Sequence, residues 1–321
     1  MNRRLPLKDI KIIEVKSEIA AGTRGASLGI DALKVASLDL ESDYFARYDT
    51  EEVENVNGIL FDGFDHPNAK FIDGVYTMET RICEKVADTM SKGDFPLVLA
   101  GDHSTAAGTI CGIKKANPDK RLGVIWIDAH ADLHTPYTTP SGNMHGMPLA
   151  MVGGIDNMEC KINDPMKETV ELWEKIKNIG IEGPKINLSD IVFISARDLE
   201  EPELFLLKKY GITNITTDEV RDQGVDKTAS QTLSLLDDCD IIYVSFDVDS
   251  MDSQISVGTG TPVPHGLTVE EAKALNVALV KDPKVICWEI VEVNPTLDTE
   301  NKMAENAFGI LEATTKSLES N

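Results

Sequence analysis

Five apolar runs, each closed by residues able to do chemistry, constrain this chain more than any other feature. Phe95–Ala100 (FPLVLA), Leu122–Ile127 (LGVIWI), Ile191–Ser195 (IVFIS), Ile241–Phe246 (IIYVSF) and Val285–Val291 (VICWEIV) are almost uninterruptedly apolar. Alternation would signal a strand with one wet face. Continuous runs signal strands buried on both faces, and hence a mostly parallel sheet covered by helices. Helix-forming stretches at 74–91, 104–115, 167–177, 227–237, 269–280 and 302–318 separate them. Strand alternating with helix predicts right-handed crossovers and a single three-layer α/β/α domain over residues 1–321. No linker, repeat or low-complexity tract divides the 321 residues.

Each run ends in polar residues. Gly101-Asp102-His103-Ser104 follows the first and Asp128-Ala129-His130-Ala131-Asp132 the second. Arg197-Asp198 lies just past the third, Asp247-Val248-Asp249 closes the fourth, and Glu292-Val293-Asn294-Pro295 closes the fifth. Open α/β sheets bind ligands outside the carboxyl ends of their strands, so five strands are expected to deliver reactive groups to one edge.

Composition narrows the function. A formal charge of −23 excludes nucleic acid and anionic membrane surfaces as natural partners. The opening MNRRLPLKDIKIIEV is broken by lysine and aspartate and reads as neither secretory signal nor membrane span. Cys83, Cys111, Cys160, Cys239 and Cys287 are scattered, without C-x-x-C spacing. That points to a reduced, cytoplasmic setting and away from a thiolate metal site.

In an extended segment Asp128, His130 and Asp132 project to one face, with small Ala129 and Ala131 between them. Asp247 and Asp249 repeat the two-residue step, and His103 adds a second imidazole. A lone Asp-x-Asp is more often a turn or a helix cap, but the joint pattern points to metal. The four aspartates carry a formal −4 when ionised, which would be costly in a cleft without counter-charge. Two divalent cations match it. Carboxylates with some imidazole suit Mn²⁺; iron, cobalt and nickel also fit this donor set. Paired ions acidify a shared water. Glu292 is a spare carboxylate suited to a planar guanidinium, or alternatively to a structural salt bridge. The loop Thr138–Gly146 (TTPSGNMHG) is rich in short donors, with His145 a candidate proton shuttle, or else an ordinary surface loop.

These motifs resemble the ureohydrolase family, and arginases within it: GDHS from Gly101, WIDAHADLHTPYTTPSGNMHGMPLA from Trp126, SFDVDSMD from Ser245, GTGTPV from Gly258 and EVNP from Glu292. The resemblance implies two Mn²⁺ ions per subunit in a homotrimer or homohexamer. It implies that His103 and Asp132 bind one ion and His130 and Asp249 the other, with Asp128 and Asp247 bridging. It implies attack of a bridging hydroxide on a small-molecule guanidino substrate, with Asp132 passing a proton to the leaving amine, His145 shuttling protons and Glu292 orienting the guanidinium. Thr139, Ser141, Asn143 and Thr261 would line the substrate pocket. His134 and Glu200 fall where arginases commonly carry asparagine and aspartate, and Ser253 replaces a usual proline. L-Arginine, giving L-ornithine and urea, is the implied substrate. Agmatine, guanidinobutyrate and formiminoglutamate are the alternatives, and a catalytically silent metal-binding subunit is the non-enzyme alternative.

Overall fold

The computed structural model describes residues 9–320 apart from Ser256. The first eight residues, which carry the basic part of the N-terminal reading, lie outside it. Among the described residues, eight strands form one sheet: β1 (Ile10–Val15), β2 (Thr50–Glu52), β3 (Phe95–Ala100), β4 (Leu122–Ile127), β5 (Ile191–Ile194), β6 (Thr213–Ile215), β7 (Ile241–Asp247) and β8 (Val285–Val291). Their order is β2-β1-β3-β8-β7-β4-β5-β6, and every pairing is parallel.

Among the described residues, eleven helices surround it: α1 (Gly29–Asp39), α2 (Tyr44–Arg47), α3 (Ile72–Ser91), α4 (Ala106–Ala116), α5 (Pro148–Gly153), α6 (Lys167–Ile176), α7 (Glu201–Tyr210), α8 (Thr217–Gln223), α9 (Val225–Leu235), α10 (Val269–Leu279) and α11 (Lys302–Glu319). The three-layer α/β/α expectation holds. The five expected strands are all present, with bounds shifted by at most one residue at Ser195 and Asp247.

The apolar runs are continuous because successive residues enter opposite cores. Leu122, Val124 and Trp126 pack toward α3, α4 and α6, while Ile125 and Ile127 enter the core lined by α1, α10 and α11. Burying each large aliphatic side chain contributes roughly 1.5–3 kcal/mol. In the core lined by α1, α10 and α11, the Trp288 indole N–H donates to Asn276 Oδ1 at 2.8 Å.

β1, β2 and β6 escaped the sequence reading. Glu14, with its side chain 2% exposed, interrupts β1 but is neutralised by Lys34 at 2.6 Å. β2 and β6, three residues each, are edge strands too short to show a pattern. Among the described residues, no helix is long and apolar enough to cross a membrane, and all five cysteines are free.

Candidate metal centre and active site

Four adjacent central strands, β3-β8-β7-β4, bring their carboxyl ends together. His103 follows β3, Glu292 follows β8, Asp247 ends β7, and Asp128 follows β4. The alternating-strand argument is only part of how they converge. Asp132 adopts a left-handed backbone (φ 50), so the third member of D-x-H-x-D is turned inward by the chain and not by strand pleat. Asp249 sits in a 3-10 turn, Val248–Ser250, opened when its N–H donates to Asp247 Oδ1 at 2.7 Å. Glu292 also has positive φ, 65°, a conformation costing non-glycine residues about 1–3 kcal/mol and common at functional sites.

Two ligand-like groups result: His103, Asp128 and Asp132, and Asp128, His130 and Asp249. Asp128 belongs to both. His103 Nδ1 stands 3.0, 3.1 and 3.1 Å from carboxylate oxygens of Asp128, Asp132 and Asp247. His130 Nδ1 stands 3.0 Å from Asp249 Oδ2 and 3.4 Å from Asp128 Oδ1. His103 Nδ1 and Asp128 Oδ2 are buried, yet neither makes a hydrogen bond. Buried polar atoms left so are rare, and these two face each other where a cation would satisfy both.

Electrostatics agrees. Burial and neighbouring carboxylates push the carboxyls of Asp247 and Asp249 upward, and burial with Asp128 beside it pushes Asp132 up to about 7. Asp128 is the exception: burial opposes its charge, but His103 and His130 hold it below the usual carboxylate range. Among the described residues, no lysine or arginine lines the cavity. Divalent cations fit this donor set.

The cavity above has a volume of about 240 Å³. His103, His130, Asp132, Asp247, Asp249 and Glu292 form its floor. His134, Thr139, Ser141, Asn143, His145, Glu200 and Thr261 line it as well. Of the sequence-predicted set, Asp128 alone lies beneath the lining, 1% exposed. Several groups are held by specific bonds. Thr261 Oγ1 donates to Asp249 Oδ2 at 3.2 Å. Glu292 Oε1 accepts from the His103 backbone N–H at 3.0 Å and faces His145 Nδ1 at 3.4 Å. Burial disfavours the His145 imidazolium, but this carboxylate outweighs it and raises the imidazole above its ordinary range. His134 Nε2 lies 3.3 Å from Glu200 Oε2. Thr139 Oγ1 and Ser141 Oγ accept backbone N–H bonds within their own loop, from Gly142 and Asn143.

Some contributors were not foreseen. Trp126 stacks on His103 at 4.1 Å and 5°. Ser245 Oγ lies 2.8 Å from His103 Nε2; its place two residues before Asp247 on the same strand face was the available signal. Arg197 Nη2 donates to the backbone carbonyls of Asp249 and Val263, and Nε to that of Pro264, clamping the loop that carries Thr261. It is not among the residues that line the cavity.

A sequence profile described as the arginase family matches residues 8–315. The chain belongs to the arginase family. An arginase of Brevibacillus brevis is 34% identical over 307 residues, covering 95% of this chain and 96% of that one. Among solved structures, arginase from Bacillus subtilis aligns with a TM-score of 0.80 at 33% identity, covering 96% of this chain and 98% of that one. Entamoeba histolytica arginase, solved in complex with L-ornithine, aligns with a TM-score of 0.82 at 25% identity, covering 97% and 99%. Family membership makes the chain a ureohydrolase, and the acid–imidazole floor is where such a family member would hold metal.

Proposed function

We propose that this protein hydrolyses L-arginine to L-ornithine and urea at a binuclear manganese centre. The observation that carries this reading is Asp128 shared between two three-residue ligand groups beneath a cavity that also presents Glu292. His103 and Asp132 would hold one ion, and His130 and Asp249 the other, with Asp128 and Asp247 between them. When bound, two divalent ions supply the acidified water that makes a nucleophile available at neutral pH.

The chain's own side chains do the rest. Glu292, fixed by the His103 N–H, orients the guanidinium through paired hydrogen bonds. Asp132, at the cavity floor, passes the proton to the leaving amine. His145, held against Glu292 and 21% exposed, exchanges protons with solvent. Thr139, Ser141, Asn143 and Thr261 place the remainder of the substrate. The L-ornithine complex of the Entamoeba arginase, sharing this fold, supports the substrate assignment.

The test is urea release from L-arginine by Mn²⁺-loaded protein, with Asp128→Asn as control. No urea from arginine would overturn the reading. The His134–Glu200 contact favours a second reading, a guanidino substrate other than arginine such as agmatine or guanidinobutyrate. Comparing kcat/KM across these compounds decides between them.

A further inference from the structure

From Lys16 to Gly25 the chain forms neither helix nor strand, yet Ser17, Ile19, Ala20 and Ala21 are buried. Buried backbone outside regular structure must find its partners elsewhere. Asp102, fully buried, supplies one of them. Its Oδ2 accepts from Ser17 Oγ and from the Ala20 N–H, each at 3.3 Å. Its Oδ1 accepts from the Ser104 N–H at 3.1 Å and from Ser104 Oγ at 2.5 Å, capping the 3-10 turn His103–Thr105. Ala20 also faces the substrate loop, where its carbonyl accepts from the His145 N–H at 3.3 Å. Two residues on, Gly22 lies so close to Asn143 that a Cβ would meet Nδ2 at 2.6 Å.

We propose that Asp102 is a positioning residue that, through Ala20, ties the turn presenting His103 to the loop presenting His145 and so fixes where the His145 imidazole stands. His145 Nδ1 faces Glu292 Oε1 at 3.4 Å, and that oxygen is itself held by the His103 N–H at 3.0 Å. Both ends of the His145–Glu292 contact therefore refer to one turn. Glu292 reaches it directly, and His145 reaches it by way of Ala20 and Asp102. The turn and the loop lie about forty residues apart in sequence, and the 17–22 segment comes from a third part of the chain. One carboxylate keeps the three in register.

The donor count explains why a carboxylate is needed. Two donors meet each oxygen of Asp102, and a carboxylate accepts on both sides. An asparagine amide would turn its NH₂ toward one pair. The Ser104 pair is the closer, so the amide oxygen stays with Ser104 and the NH₂ faces Ser17 and Ala20. The Ser17 hydroxyl can rotate to accept, whereas the Ala20 N–H cannot. Asp102→Asn thus spares the turn and releases Ala20, and with it the acceptor of the His145 N–H.

The inference rests on the proton-exchange reading of His145, and the experiment separates the two. In hydrogen–deuterium exchange of the full chain, Asp102→Asn should speed the amides of segments 17–22 and 142–147 about tenfold, the weight of one hydrogen bond. β4 and β7 should keep their rates. In urea release from L-arginine, kcat should fall about 10²-fold, the scale of a misplaced catalytic group, with KM and Mn²⁺ content little changed. Ser17→Ala cuts a bond to the same oxygen without touching Ala20 and should leave kcat as it was. In a His145→Asn background, Asp102→Asn should cost little more. Losses that multiply, an unchanged 142–147 segment, or faster exchange throughout the sheet would overturn the proposal. Should Asp102→Asn not fold, Gly22→Ala tests the tie from its exposed end: exchange at 142–147 should rise, and an unaltered rate there would overturn it equally. A His145→Asn variant with full kcat would overturn the proton-exchange reading instead, while the exchange rates still judge the tie.

Discussion

The ammonium of Lys70 donates to Asn143 Oδ1 at 3.1 Å, outside a cavity that has no lysine or arginine in its lining among the described residues. With its oxygen held, the amide has only N–H groups left to offer. The same segment is seated by a backbone bond from Lys70 N to Gly142 O at 2.8 Å. Gly142 has φ 77, and a Cβ there would meet Pro67 O at 1.9 Å, so the close approach requires glycine. Lys70→Met should raise KM for carboxylate-bearing guanidino substrates roughly tenfold, the loss of one charge-assisted hydrogen bond, with kcat little changed. Steady-state kinetics on arginine and agmatine checks this; an equal effect on both would show that Lys70 does not act on the carboxylate end.

Asp128 is shared and Asp132 is not. Asp128→Asn should therefore lower occupancy of both ions, whereas Asp132→Asn should lower only one. Metal content per chain after dialysis against Mn²⁺ reads this directly. Identical stoichiometry in the two variants would contradict the shared-ligand geometry.

Glu292→Gln keeps the shape of the side chain and its acceptor for the His103 N–H, but removes the charge. The expected result is about a 10²–10³-fold fall in kcat/KM, the scale of losing a preorganised electrostatic contact. Mn²⁺ stoichiometry should stay unchanged. A fall in metal binding of the same size would move Glu292 from substrate orientation to metal support.

Far from the site, Arg121 Nε and Nη2 make two bonds to Asp190, at 2.8 and 2.7 Å. Burial alone would raise this carboxyl, but the guanidinium outweighs it and holds Asp190 below its ordinary range. The folded state thus binds this proton less readily than the unfolded chain, whose carboxyl titrates at about 3.9. The contribution is present in full above that value and is lost as pH falls through the lower folded value. Asp190→Asn should cost about 1–3 kcal/mol at pH 7 and flatten the acid limb of the stability curve. Urea unfolding at pH 3–7 checks it; a constant difference between the two proteins across that range would refute the linkage.

The legible part of the fold was the part buried on both sides. FPLVLA, LGVIWI and VICWEIV announce strands because two helical layers demand apolar residues at consecutive positions. β2 (TEE) and β6 (TNI) lie at the sheet edges, where one neighbour and partial exposure impose no such demand. α7 and α8 open with capping boxes, Glu200 with Glu203 and Thr216 with Glu219. The Thr-x-x-Glu signature was written in the sequence, although its apolar stripe is short.

At the site, sequence alone determined the inventory: which carboxylates and imidazoles follow which strands, and that their charge calls for divalent cations. Strand order was decided by the tertiary structure. β3, β8, β7 and β4 are neighbours in space but come from distant parts of the chain, and side-chain pattern carries no record of which strands pair. Tertiary structure also turned Asp132 and Glu292 inward through left-handed backbone. It joined Lys70 to Asn143 as well. Local pattern follows from the period of each element, whereas such contacts exist only once the chain has closed on itself.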